Sequence, residues 1–361
     1  MDKKQLTTYI VAGVLGAIAI VMIIVWVIVF KLPPEAKEDV TEDTETTQET
    51  DIATIEDSKE SLMDAAEIDS DIEEQVVAVI VENHTDARRQ QSGLSEASLV
   101  IEAEAEGGIT RFIAFYPYQN IDKVGPVRSA RPYYVRWAEM FDSALAHAGG
   151  SDLGLNAIYT SGRVFDLDGL ALEGGTKYFT RDFVYFAPHN LFANIAELRE
   201  LIEDRGWEKT LENEIFEFGS SLDNQNGTGD AEIADTIRIY YPFPQYHVKY
   251  DYDSENNVYE RSQGGSVMVD KNNGEQIAPS NVVIMITNYY PTDEEGRLYM
   301  KTEGTGDMYL FRNGKVYPGT WERYTNGDLL KFYGSDGEEL VFEKGQTWIS
   351  VVNYSGGLQW E

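Results

Sequence analysis

From Ile10 to Phe30 the chain is apolar, interrupted only by the small Gly13 and Gly16. As a helix, those 21 residues would rise roughly 31 Å, matching a hydrocarbon core of about 30 Å. Polar residues 1–9, with Lys3 and Lys4, precede the run; Lys31 and Pro33-Pro34 follow it. A cleaved signal peptide has a shorter apolar region ending in small residues. This one ends Val-Ile-Val-Phe-Lys, so an uncleaved membrane-spanning helix over 10–30 is expected. Residues 1–9 would form a cytoplasmic tail, leaving the body extracytoplasmic on a single-pass cell-membrane protein. Lysines on the two flanks nearly balance, so this orientation follows from one large domain trailing an N-terminal anchor.

Residues 31–75 read as a disordered acidic tether. From Glu35 to Glu74 there are 17 Asp and Glu against two Lys. Such a segment has too little apolar area to offset its ordering entropy.

Order is expected from Val76. Val-Val-Ala-Val-Ile-Val reads as a fully buried strand ending at Glu82-Asn83-His84. Strands over Leu99–Ala105 and Thr110–Tyr116 flank Gly107-Gly108, a hairpin signal. Pro132 opens a helix running to about Phe141, and Ala144–Ala148 is a short buried strand. Asn190 is placed to cap a helix over Leu191–Asp204 that stops before Gly206. Residues 76–218 therefore read as an α/β domain with a mixed sheet. Residues 219–234 resemble a linker. In 235–361, short alternating strands at 237–241, 247–252, 282–288, 308–312, 329–333 and 348–352 are punctuated by Asn-Gly and Asp-Gly turns. That pattern predicts a separate, small, mainly antiparallel β domain. The expected fold class is thus a membrane anchor helix, an α/β domain and a small β domain.

Composition narrows the functions. The net charge of −33 makes nucleic acid a poor partner. There is no cysteine, so neither disulfides nor a lipid-modified cysteine are available. Within this acidic chain, six of the 15 arginines (88, 89, 111, 128, 131 and 136) lie between Val76 and Arg136. Arg128, Ser129 and Arg131 precede the expected helix start. Guanidinium forks there would suit phosphate or carboxylate; pairing with Glu82, Glu102, Glu104 and Glu106 is the competing expectation. His84, His147 and His189, with Asn83, Ser151 and Asn190, fall at strand ends or helix starts, where α/β sites form. No short ligand spacing joins the histidines, so no metal and no cofactor are expected. Glu102, Glu104 and Glu106 alternate and would share one strand face; Glu102 and Glu106, with His84 or His147, are the candidate acid–base pair of an enzyme reading. No nucleophile elbow, Walker loop or dinucleotide fingerprint is present.

The same residues carry a family resemblance. Glu82-Asn-His84, Ala87-Arg88, Gln91-Ser-Gly-Leu94, Glu106-Gly-Gly-Ile-Thr-Arg111, Gly125-Pro-Val-Arg-Ser-Ala-Arg-Pro-Tyr133, His147-Ala-Gly-Gly-Ser151 and Pro188-His-Asn-Leu191 occur in that order. Asn313-Gly-Lys-Val, Gly319-Thr-Trp321, Phe332-Tyr, Asp336-Gly and Gly345-Gln-Thr-Trp348 follow. Over about residues 76–353 the chain resembles the bacterial family of unknown function 3048, a lipoprotein family. The resemblance implies an extracytoplasmic, membrane-attached protein and brings no established reaction. The chain departs from the family in having an apolar N-terminal run where a lipoprotein cysteine is common. It also has Arg89-Gln90 where the family has a proline, in a loop one residue longer. Three readings follow: a binding module for an anionic envelope polymer, precursor or partner protein, with Asn83, His84, Arg88, Arg111, Arg128, Ser129, Arg131, His147, Ser151, His189 and Asn190 lining its site; an envelope hydrolase or transferase; or a structural scaffold. Absence of a catalytic signature ranks the binding module first.

Overall fold

Val77–Glu82 (β1) is buried at every position because both of its faces are covered. Ala78 and Ile80 pack into a core with Trp137 and Tyr134, while Val77, Val79 and Val81 point into a second core with Leu191 and Ile195. The computed structural model describes residues 58–172, 177–219, 231–354 and 357–361, all in one unit, Glu56–Glu361.

β1 pairs antiparallel with β3 (Ile109–Tyr116), which returns from β2 (Leu99–Glu106) through Gly107-Gly108. Both glycines have positive φ, 59° and 72°, as a two-residue hairpin turn requires. On its other side β1 pairs in parallel with β4 (Ala144–His147), which pairs in parallel with β5 (Phe165–Asp168). Helix α1 (Pro132–Ala138), extended by a 3-10 turn to Phe141, begins with proline as expected. Helix α2 (Asp152–Ser161) is capped by Ser151, whose Oγ accepts from Gly154 N at 3.1 Å.

The second half supplies β6 (Thr236–Ile239), β7 (Val248–Asp253) and β8 (Val258–Gln263), antiparallel neighbours in a five-stranded sheet edged by Leu358–Trp360. It also supplies β9 (Asn281–Ile286), β10 (Gly304–Arg312), β11 (Lys315–Arg323) and β12 (Thr347–Val352). β12 lies between β9 and β2 and is parallel to both, with Trp348 opposite Val100 and Val282. A single 11-stranded mixed sheet therefore runs through both halves.

This corrects the expected fold class. The body is mostly β, and its C-terminal half is not a separate small domain. The reason is hydrogen bonding: without β12, both β2 and β9 would present a row of unpaired backbone groups. Among the described residues no helix is long and apolar enough to cross a membrane; the span expected over 10–30 lies outside them.

Order also begins earlier than expected. Ser58–Glu60 pairs with Glu67–Asp69, Met63 is fully buried, and Glu74 accepts from Ser61 Oγ and Leu62 N at 2.7 and 2.8 Å. Those acidic side chains are used as acceptors, which the charge count could not reveal. The expected linker over 219–234 falls mostly outside the described residues, but Glu232–Ile233 pairs with β11. The expected helix from Leu191 is shorter. Leu191–Ala193 is a strand paired with Phe179–Arg181, and Asn194, not Asn190, caps helix α3 (Ile195–Asp204) by accepting from Glu197 N at 3.1 Å.

Candidate functional site

At its C-terminal end β1 delivers Glu82, Asn83 and His84 into the gap between two loops. Glu82 N donates to Pro126 O, and Arg128 N donates to Ile80 O, tying the Gly125-Pro126 loop to the strand. Inside this frame the Glu82 carboxylate, almost fully buried, meets Arg128 Nε at 3.1 Å and accepts from His189 Nδ1 at 2.9 Å. Gln90 Nε2 donates to His189 O at 2.6 Å, and Gln91 Nε2 donates to Glu82 O at 2.7 Å. The His84 and His189 rings stack with centroids 5.3 Å apart and planes 17° from parallel. Thus Glu82, His84, Arg128 and His189, distant in sequence, are brought together.

The alternating glutamates do not share a face. Glu104 pairs with Thr110, but Glu106 pairs with Ile109, a one-residue slip of register. Glu106 consequently turns to the side of Arg111. It takes Arg131 in a two-pronged grip, at 2.9 Å from Nε and 2.7 Å from Nη2, and pairs with Arg111 Nη2. Burial pushes its carboxyl up, yet Arg111 and Arg131 together hold it below the usual carboxylate range. Arg111 also donates to Ser129 O at 3.1 Å, and Ser129 Oγ donates to Ala148 O at 3.0 Å.

Glu102 points the other way, into the heart of the molecule. It is fully buried and accepts from Arg261 Nη2 at 2.7 Å, Thr110 Oγ1 at 2.8 Å, Asn83 Nδ2 at 3.2 Å and Gln263 Nε2 at 3.3 Å. The Arg261 guanidinium lies over the Trp348 ring at 4.6 Å and donates to Tyr250 OH at 2.6 Å. Burial opposes its charge, but Glu102 and Tyr250 more than offset this and hold it above its ordinary value. No sequence signal marks Arg261 or Gln263 as partners of Glu102; they come from β8, about 160 residues away.

The other expected site residues lie elsewhere in the network. His147 is fully buried, with Nδ1 2.9 Å from Gly149 O and Nε2 2.8 Å from Asp166 Oδ1. Hydrogen bonding from His147 lowers the Asp166 carboxyl. Ser151 serves as the cap of α2. Asn190 Oδ1 accepts from Arg181 Nη1 at 2.9 Å and its amide donates to Tyr185 O at 3.3 Å.

Arg88 differs from these. It sits over the Tyr246 ring at 4.9 Å, and its Nε and Nη2, both buried, find no hydrogen-bond partner among the described residues. Desolvation by burial depresses its guanidinium, partly countered by Tyr246 and Glu102. It lines a cavity of about 510 Å³ with Thr85, Gln91, Gln263, Ser266 and Lys271. Gln91 Oε1 and Gln263 Oε1 are likewise buried and without a partner among the described residues. Buried polar atoms are nearly always satisfied, and these unmet donors and acceptors gather at one cavity.

Comparison with known proteins adds the following. Residues 64–208 match the family model described as "Protein of unknown function (DUF3048) N-terminal domain", and residues 237–349 match its C-terminal domain. The chain is 35% identical to "Putative lipoprotein YerB" of Bacillus subtilis (strain 168) over 285 residues, 78% of this chain and 82% of that protein. The crystal structure of YerB from Bacillus subtilis superposes with a TM-score of 0.72 at 31% identity, covering 83% of this chain and 98% of that one. Both matched family regions contribute to the one continuous sheet.

Proposed function

The chain belongs to the DUF3048 family, and from that premise we propose that it is a non-catalytic binding module of the cell envelope. The extracytoplasmic setting is supported by the relative named a lipoprotein. Its ligand would be an anionic envelope polymer or precursor, taken in the Arg88 cleft between the 84–91 segment and the 263–274 hairpin. The observation that carries this reading is the Arg88 guanidinium, with two buried donors unmet beside a cavity. A phosphate or carboxylate oxygen would satisfy both.

Binding is favoured over catalysis because the candidate carboxylates are already neutralised. Glu102 is sealed against Arg261, and Glu106 is held between Arg111 and Arg131. Glu102 is closed to an outside molecule, and both oxygens of Glu106 are engaged by guanidinium groups. Arginines 111, 128 and 131 each meet a carboxylate, while Arg88 faces the cleft with two donors unmet.

Equilibrium binding of the full-length chain to a poly(glycerol phosphate) polymer and to soluble cell-wall fragments tests the idea. Losing one charge-assisted hydrogen bond costs about 1.5–3 kcal/mol. Arg88→Met should therefore weaken the interaction roughly 10- to 150-fold. Melting should be unchanged or slightly raised, because an unsatisfied buried group is removed. Equal affinity in the variant, or no binding by the wild type to either probe, would rule the cleft out as this site.

A further inference from the structure

We propose that His84, Asp86 and His189 form a binding site for a divalent first-row metal ion of the Zn²⁺ type. Their donor atoms all lie within 4.8 Å of one another. His84 Nδ1 and Asp86 Oδ2 are 3.6 Å apart, close to the edge of about 3.4 Å between two ligands of a tetrahedral ion at roughly 2.1 Å; Asp86 N donates to the same nitrogen at 3.3 Å, a contact that an ion on Nδ1 would displace. Two imidazoles and one carboxylate suit such an ion.

The surroundings add a second, independent feature. His189 gives its Nδ1 to the buried Glu82 carboxylate, which leaves Nε2 without a hydrogen-bond partner among the described residues. A carboxylate behind a histidine fixes the tautomer and orientation of the ring, as outer-shell carboxylates do at metal sites. Gln90 holds the same residue from its backbone side. His189 is therefore held from two directions, by Glu82 at the ring and by Gln90 at the backbone.

Access is open. The His84 side chain is about one-third exposed and that of Asp86 about three-quarters. An ion can enter without opening the core. Three protein ligands leave a coordination position for water or for an oxygen of a bound molecule, the pattern of an exchangeable rather than a closed structural site. The short spacing of histidines that marks many zinc sites is absent, because one ligand pair is local and the third comes from a loop about 100 residues on.

The proposal does not rest on the Arg88 cleft, and Arg88→Met should leave metal affinity as it is. The test is titration of the tag-free full-length chain with Co²⁺, followed by its visible d–d bands, and with Zn²⁺, followed by native mass spectrometry. One ion per chain is expected. His84→Gln and His189→Gln should each weaken binding at least about tenfold, and Glu82→Gln, which touches no ion, by about 10- to 100-fold. The apo form of His84→Gln should melt with the apo wild type, since that ring lies at the surface. Absence of stoichiometric binding and d–d bands in the wild type overturns the site. So does equally tight binding in a His84→Gln/His189→Gln double variant.

Discussion

Replacing Glu102 by alanine should be among the most damaging changes in the molecule. The substitution leaves the Arg261 guanidinium charged and fully buried. It also strips Thr110, Asn83 and Gln263 of their common acceptor. Charges 2.7 Å apart attract by about 6 kcal/mol at an effective dielectric of about 20. Part of that is returned because Glu102 no longer has to be desolvated, so the net loss should be about 3–5 kcal/mol. At roughly 2 °C per kcal/mol for a body of this size, Tm falls by about 6–10 °C. Calorimetry and urea unfolding followed by tryptophan fluorescence both read this. The companion variant Glu102→Leu/Arg261→Met removes both charges and keeps apolar volume. It should recover most of the loss, giving a coupling energy of about 2 kcal/mol or more. If Glu102→Ala melts within about 2 °C of wild type, or the double variant is as unstable as the two single changes combined, the two residues are not an interdependent buried pair.

Two further outcomes follow from geometry. Glu106 is held below its ordinary value by Arg111 and Arg131. A depressed carboxylate contributes stability above its unfolded pKa of about 4.3 and loses it as pH falls through the native value. The stability advantage of wild type over Glu106→Gln should therefore shrink between about pH 5 and 3, as measured by urea midpoints; a constant advantage would contradict the pairing. At Gly319, a Cβ would stand 2.0 Å from Tyr333 O, across the pairing of β11 with Lys331–Gly334. Gly319→Ala should lower stability by about 2 kcal/mol or more, and an unchanged melting profile would show that the strands separate without loss.

Much of the local structure was legible in the chain. The run from Val76 reads as a buried strand because it has no polar face. The Gly107-Gly108 hairpin and the proline at the start of α1 follow from backbone restrictions alone. Helix α2 and strands β5 and β8 left no clear trace: Asp152–Ser161 has an outer face with exposed Leu153 and Tyr159, which blurs its periodicity. The start of α3 was displaced because Leu191–Ala193 satisfies strand pairing as well as helix periodicity. Only the hairpin partner Phe179–Arg181 decides between them.

The candidate site divides in the same way. That arginines and histidines gather near the ends of β1 and β4 is visible in the order of residues. Which arginines are internally paired is not. Glu106 and Glu102 are four residues, two β-periods, apart, yet a single slip in register sends one to Arg131 and the other to Arg261.

The sequence by itself determined the strong local elements, the family, and the stock of Arg, Glu and His from which the site is assembled. Those properties depend on side-chain type and near-neighbour spacing. Tertiary structure alone decided that Thr347–Val352 would close the gap between two halves, that Arg261 would neutralise Glu102, and that Arg88 would be left unpaired. Each outcome turns on which distant backbone edge or charge the fold brings to a buried group, and spacing along the chain carries no record of that.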